Sequence, residues 1–192
     1  MKIQSLICAT AMIALSALTA KADYQLNFVT ANGGSSNPVF DVDGTTKLNS
    51  TFFGQIYAGA DAGSLVAIGS AVAFGTVGGT PNAAADGFII GNTVPATSAS
   101  LFGGSAGVYQ LRAWTGAATY EAASATIGAK IGSSSVQNVT FGGTPSGGGA
   151  PLTPPDVSLH SSFALTTVAV PEPATIALGL FGAAGLLIRR RK

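Results

Sequence analysis

Apolar and polar residues alternate with period two along much of the middle of this chain. Residues 24–28 set Tyr24, Leu26 and Phe28 on one side and Gln25 and Asn27 on the other, as a half-buried strand requires. Residues 51–58 hold Phe52, Phe53, Ile56 and Tyr57, and residues 65–74 form a longer apolar stretch broken by Gly69. A short run follows at 87–90. Residues 108–114 put Tyr109, Leu111 and Ala113 on one face and Gln110, Arg112 and Trp114 on the other. Segments 136–141 and 159–168 complete the series. Turn signals separate these runs: Asn32-Gly33-Gly34, Asp43-Gly44, Gly78-Gly79, Gly103-Gly104 and Gly142-Gly143. About seven or eight short strands with Gly-rich turns predict an all-β body folded as an antiparallel β-sandwich. Residues 121–127 are Ala-rich and suit one helical piece. Residues 144–155 carry Pro145, Pro151, Pro154, Pro155 and three consecutive glycines, so they read as a long loop inside the domain.

Both ends depart from this pattern. Lys2 precedes an apolar stretch, and Ala20-Lys21-Ala22 supplies a small-x-small cleavage site. Residues 1–22 therefore read as a secretory signal peptide, cut after Ala22. At the other end, residues 174–188 are 15 residues without a charge. As a helix they would span ~22 Å, short of a bilayer core of ~30 Å. Flanking arginine stems can extend the reach by lifting their charges to the interface. Arg189, Arg190, Arg191 and Lys192 would hold that end in the cytoplasm, with the body on the other side.

Val170-Pro171-Glu172-Pro173, the apolar run and the basic end stand in one order at the end of the chain. Together they resemble the PEP-CTERM tail of exported proteins of Gram-negative bacteria. The resemblance implies that an exosortase-like, membrane-embedded processing enzyme recognises the Pro-Glu-Pro motif and cuts near it. It further implies export through the Sec pathway, anchoring in the membrane before processing, and delivery to the cell surface or the extracellular polysaccharide matrix. The expected organisation is a signal peptide at 1–22, a β-sandwich ectodomain at 23–169, and a sorting tail at 170–192 containing a transmembrane helix.

Charge sharpens the picture of the body. Between Asp23 and Ala169 lie Lys47, Arg112 and Lys130 against six aspartates and Glu121, three cations to seven carboxylates, a net −4. Three scattered cations do not make a nucleic-acid surface. So few charges also give weak self-repulsion, which favours association. The single cysteine, Cys8, lies in the signal, so the body has no thiolate and no disulfide.

The search for chemistry returns little. His160 is the only histidine, and it is placed on the outward polar face of the last strand. One histidine and no cysteine exclude the common zinc sites, so no metal or cofactor is expected. Asp41-Val42-Asp43-Gly44 has two carboxylates but lacks the later ligands of a calcium loop and reads as a turn. Paired acids such as Asp41 and Asp43, or Glu121 with another carboxylate, would be needed for hydrolysis. Trp114, with Tyr109 and Tyr120, offers a stacking platform for a sugar ring. The expectation is a non-enzymatic exported protein with a structural or adhesive role. A carbohydrate-binding module of the exopolysaccharide matrix is the alternative.

Overall fold

A computed structural model describes residues 23–32, 35–98, 100–158 and 160–169. The chain forms antiparallel sheets with almost no helix. The strands are β1 (Asp23–Val29), β2 (Ala31–Asn32), β3 (Ser35–Ser36), β4 (Phe53–Gly59), β5 (Val66–Ala73), β6 (Thr76–Val77) and β7 (Thr80–Pro81). They continue with β8 (Ile90–Thr97), β9 (Ala106–Trp114), β10 (Lys130–Ser133), β11 (Gln137–Thr140), β12 (Gly142–Gly143) and β13 (Thr166–Thr167). One helix, α1 (Tyr120–Ser124), follows β9, and a 3-10 turn covers Ala83–Ala85.

A six-stranded sheet runs β13-β10-β9-β4-β5, with β11 also paired to β9, and a three-stranded sheet runs β12-β1-β8. The alternation of β1 works as read: Tyr24, Leu26 and Phe28 are buried, and the residues between them are half-buried. On the larger sheet Ile56, Ala58, Tyr109, Leu111 and Ala113 face the same core, together with Val94 from the smaller one. The two sheets thus share one apolar interior. Fully burying a large apolar side chain stabilises by about 1.5–3 kcal/mol, so this shared cluster, rather than the ladders, decides which faces turn inward.

Several expected elements moved. Of the run at 87–90, Gly87 is turn and Ile89 forms an isolated bridge to Thr76; the strand begins at Ile90 and continues to Thr97 through Gly91 and Pro95. Pro95 pairs with Gln25 of β1, and β8 has no strand on its other side among the described residues. That edge position tolerates a residue without an N–H. β10 carried too little alternation to be read as a strand; pairing with β9 and β13 makes it one. Gly142-Gly143 is no turn but strand β12, buried against β1. A Cβ on Gly142 would lie 2.4 Å from Pro154 Cα, so the returning loop requires glycine there. Of the described residues in 159–168, only Thr166 and Thr167 form strand, with Ala164 bridging Phe40. The loop 144–155 does stay within the body, as Asn27 N–H donates to Pro155 O at 2.9 Å and Val157 N–H to Asn27 O at 3.2 Å.

The helical piece is shorter than read. Thr119 caps α1, its side chain accepting from Ala122 N–H at 3.2 Å. Trp114, Ala123 and Ala129 form a second small cluster under α1, with Tyr120, Ile131 and Val168 against it.

Gly69 shows how closely the two sheets approach. Its φ is +62°, and a Cβ there would lie 2.3 Å from Val94 Cγ1. Gly69→Ala should cost about 2–4 kcal/mol, combining left-handed backbone strain with overpacking. In a urea-denaturation cycle with Val94→Ala, the double variant should lose less than the sum of the singles, because the steric part is relieved.

Candidate functional site

The residues singled out for chemistry are dispersed, and most are held by structural partners. Asp43 Oδ1 accepts from Thr45 and Thr46 N–H at 2.9 and 2.8 Å, and its Oδ2 from Thr46 Oγ1 at 2.5 Å. These bonds, that from the Thr46 hydroxyl foremost, hold its carboxyl down at about 2. Asp41 accepts from its neighbour's N–H at 2.7 Å and pairs with Lys130 Nζ at 2.6 Å. The two aspartates therefore close a turn and tie it to β10, leaving no free acid pair. No group of three or more metal-ligating side chains occurs among the described residues.

His160 does not lie on an outward face. It is fully buried, with Nδ1 3.0 Å from Val157 O and Nε2 3.0 Å from Asn37 O. A neutral ring can donate to only one of these carbonyls; the charged ring satisfies both. Burial is the larger effect and pushes the imidazole below its ordinary value, while the carbonyls push the other way. The ring stitches the segment after β12 to residue 37, with each nitrogen facing a backbone carbonyl.

The sugar platform is also overturned. Trp114 and Tyr109 are fully buried. Trp114 does point away from the main core, as its alternation indicated, but α1 covers it. Its Nε1–H donates to Ala117 O at 3.0 Å, and the Tyr120 ring meets it edge-on at 6.2 Å. Only Tyr120 of the three retains partial exposure. Sequence alternation can assign Trp114 to the second face but cannot show that a one-turn helix folds over it.

A cluster that the sequence reading did not assemble lies beside it. Tyr57 OH donates to Glu121 Oε1 at 2.6 Å. The Arg112 guanidinium stacks 3.9 Å from the Tyr57 ring centroid and sits 3.6 Å from Glu121 Oε1. Burial and then the Glu121 contact push the Tyr57 phenol well above its usual range. The hydrogen bond from Tyr57 holds Glu121 below the ordinary carboxylate value. The outward position of Arg112 was legible; its partners 55 and nine positions away in sequence were not. The arrangement straps α1 onto the sheet.

A grooved seam lies between the free edges of β5 and β8. Ser70, Val72, Thr76, Asn92 and Thr93 help line a groove of about 570 Å³. Ile68, Gly69, Pro95 and Ala96 help line a second of about 540 Å³. The Gly69–Val94 contact falls between them. Neither strand carries a charged side chain.

The chain leaves this body at the edge of the larger sheet. Val168 N–H donates to Ala129 O at 2.8 Å, and Gly128 N–H donates to Val168 O at 3.1 Å. From the next residue onward, residues 169–192 match the family described as the PEP-CTERM protein-sorting motif. The chain carries a PEP-CTERM sorting signal. That motif implies export and sorting by an exosortase. The PEP-CTERM match covers only this end, and neither a curated protein nor a solved structure matches the chain. The motif residues Val170, Pro171, Glu172 and Pro173 and the basic end Arg189 to Lys192 lie outside the described residues, as do the cleavage residues Ala20 and Ala22. Among the described residues, no helix is long and apolar enough to cross a membrane.

Two measurements probe the local chemistry. The imidazole is depressed from its ordinary 6.5, so the unfolded chain takes up a proton before the folded one does. Stability should be full above pH 6.5 and decline as pH falls below it. With a single histidine in the chain, the decline in urea midpoint between pH 7.5 and 5.5 should largely vanish in His160→Gln. In the second, Tyr57→Phe should raise the Glu121 pKa toward the ordinary value in an NMR titration. It should also cost about 0.5–1.5 kcal/mol at neutral pH, the worth of one hydrogen bond.

Proposed function

We propose that this protein is a structural or adhesive component of the cell surface or extracellular polysaccharide matrix of a Gram-negative bacterium. In this reading an N-terminal signal peptide sends the chain through the Sec pathway. The apolar tail then holds it in the membrane until an exosortase-like enzyme cuts near Pro171-Glu172-Pro173. The body delivered is a β-sandwich with a non-catalytic role.

The observation that carries the reading is the seam. Two eight-residue edge strands, β5 and β8, lie side by side without a charge between them. Edge strands expose unpaired backbone groups, and proteins that must remain solitary blunt them with lysines and other charges. Here the interruptions are Gly69 and Pro95, which bend or locally block the ladder but do not repel. A body with three cations and seven carboxylates adds little long-range repulsion. Such an edge favours contact with other chains or with a neutral matrix.

Two measurements in the native host test this. Intact mass of released and cell-associated protein should correspond to a chain from about Asp23 to the neighbourhood of Val170. A mass extending to Lys192 in the membrane would instead make the tail a permanent anchor. Ala67→Lys combined with Ser70→Lys places charges at exposed positions of β5. It should leave folding and processing intact and weaken self-association or matrix retention roughly tenfold, the effect of about 1.4 kcal/mol. Unchanged retention would remove the seam from the adhesive reading.

A further inference from the structure

The distance between the folded body and the sorting motif is very short. Val168 is hydrogen-bonded into the sheet edge at both its N–H and its C=O, and Pro171 is three residues further on. Three extended residues reach at most about 11 Å. An enzyme that cuts a peptide must enclose the chain on both sides of the bond, in an extended form and free of other backbone partners. The docked body obstructs that approach from one side.

The final strand is built so that it can leave. β13 has two residues, Thr166 and Thr167, both exposed, at the outer edge of its sheet. It pairs only with β10, through Lys130↔Thr167 and Ile131↔Thr166. Val168 is half-buried against the Trp114 cluster. The first firm anchor upstream is Leu165, which is buried in the main core and donates its N–H to Phe40 O at 3.0 Å. Release as far as Leu165 would free residues 166–169 and leave the shared core intact. Moving the anchor from Val168 back to Leu165 adds three residues of chain, roughly 10 Å of reach at ~3.3 Å per residue.

We propose that β13 is a detachable edge strand, and that tail processing proceeds from the state in which residues 166–169 have left β10. This rests on the processing reading above. Docking of β13 and entry of the motif into the enzyme then compete, so the stability of this short ladder governs the rate of tail removal. Release also opens one side of the Trp114 cluster, which gives the step a cost that redocking after the cut recovers.

A reversible lock tests this in the full chain in its native host. Ile131→Cys with Thr166→Cys joins facing residues of an antiparallel pair, whose usual Cα separation suits a disulfide. The only native cysteine, Cys8, lies far away in sequence. Intact mass should show the oxidised variant retaining its tail, with the processed fraction at least tenfold below wild type. Reduction should restore processing in the same protein, which separates locking from misfolding. A six-residue Gly-Ser spacer between Ala169 and Val170 should restore it without reduction, because the motif then reaches the enzyme past a docked strand. Processing of the oxidised form at the wild-type rate, or failure of the spacer to restore it, overturns the proposal. Wild-type protein that keeps its tail instead overturns the processing reading on which the proposal rests.

Discussion

Strand β9 is the element on which the rest of the body depends, because it lies inside the larger sheet and serves two interiors at once. It pairs with β4 over seven facing residue pairs, from Phe53↔Trp114 to Gly59↔Val108. Its other side takes β11 along its first half and β10 along its second. Tyr109, Leu111 and Ala113 point into the core shared with β1 and β8, while Trp114 points out into the cluster beneath α1. Because side chains alternate strictly along a strand, a slip of one residue would exchange these two sets. Trp114 would then enter the main core and Leu111 the Arg112 surface. The packing of β9 thus fixes the register of its neighbours.

Polar groups in this body act mainly as fasteners. All three cations of the region are engaged: Lys130 with Asp41, Arg112 with Glu121 and the Tyr57 ring, and Lys47 over the Phe88 ring at 5.6 Å. The lone histidine bridges two backbone segments from a buried position. A chain so poor in charge has few groups to spare, and Lys130–Asp41 and Arg112–Glu121 tie a turn and the helix to the larger sheet. The outer surface carries many hydroxyls and small residues, together with exposed apolar side chains such as Val66, Ile90 and Ile127. That division agrees with a protein whose contacts with its surroundings are broad and neutral.

The two ends of the folded body differ in how firmly they are held. β1 is central in its sheet, paired on both sides and buried along one face. β13 is two residues long, at an edge, and leads directly into the sorting signal. β13 shares no ladder with β1.

The sequence by itself determined the β character of the body, the inward faces of β1 and β9, and the sorting tail. Each of these is written in local order: period-two alternation for Tyr24-Leu26-Phe28 and Tyr109-Leu111-Ala113, and contiguous residue types for Val170 to Lys192. The second core was half-legible, since Trp114 could be assigned to the outer face but not to its cover. The tertiary structure alone decided what lies opposite each face. It buried Trp114 beneath α1, drew His160 inside between two carbonyls, made strands of Lys130–Ser133 and of Gly142-Gly143, and set β5 beside β8. These outcomes depend on partners tens of residues away, and no local pattern specifies them. Glycine and polar residues take whichever role the neighbouring chain supplies, because burial and backbone pairing there come from contact with another segment, not from the residue's own preference.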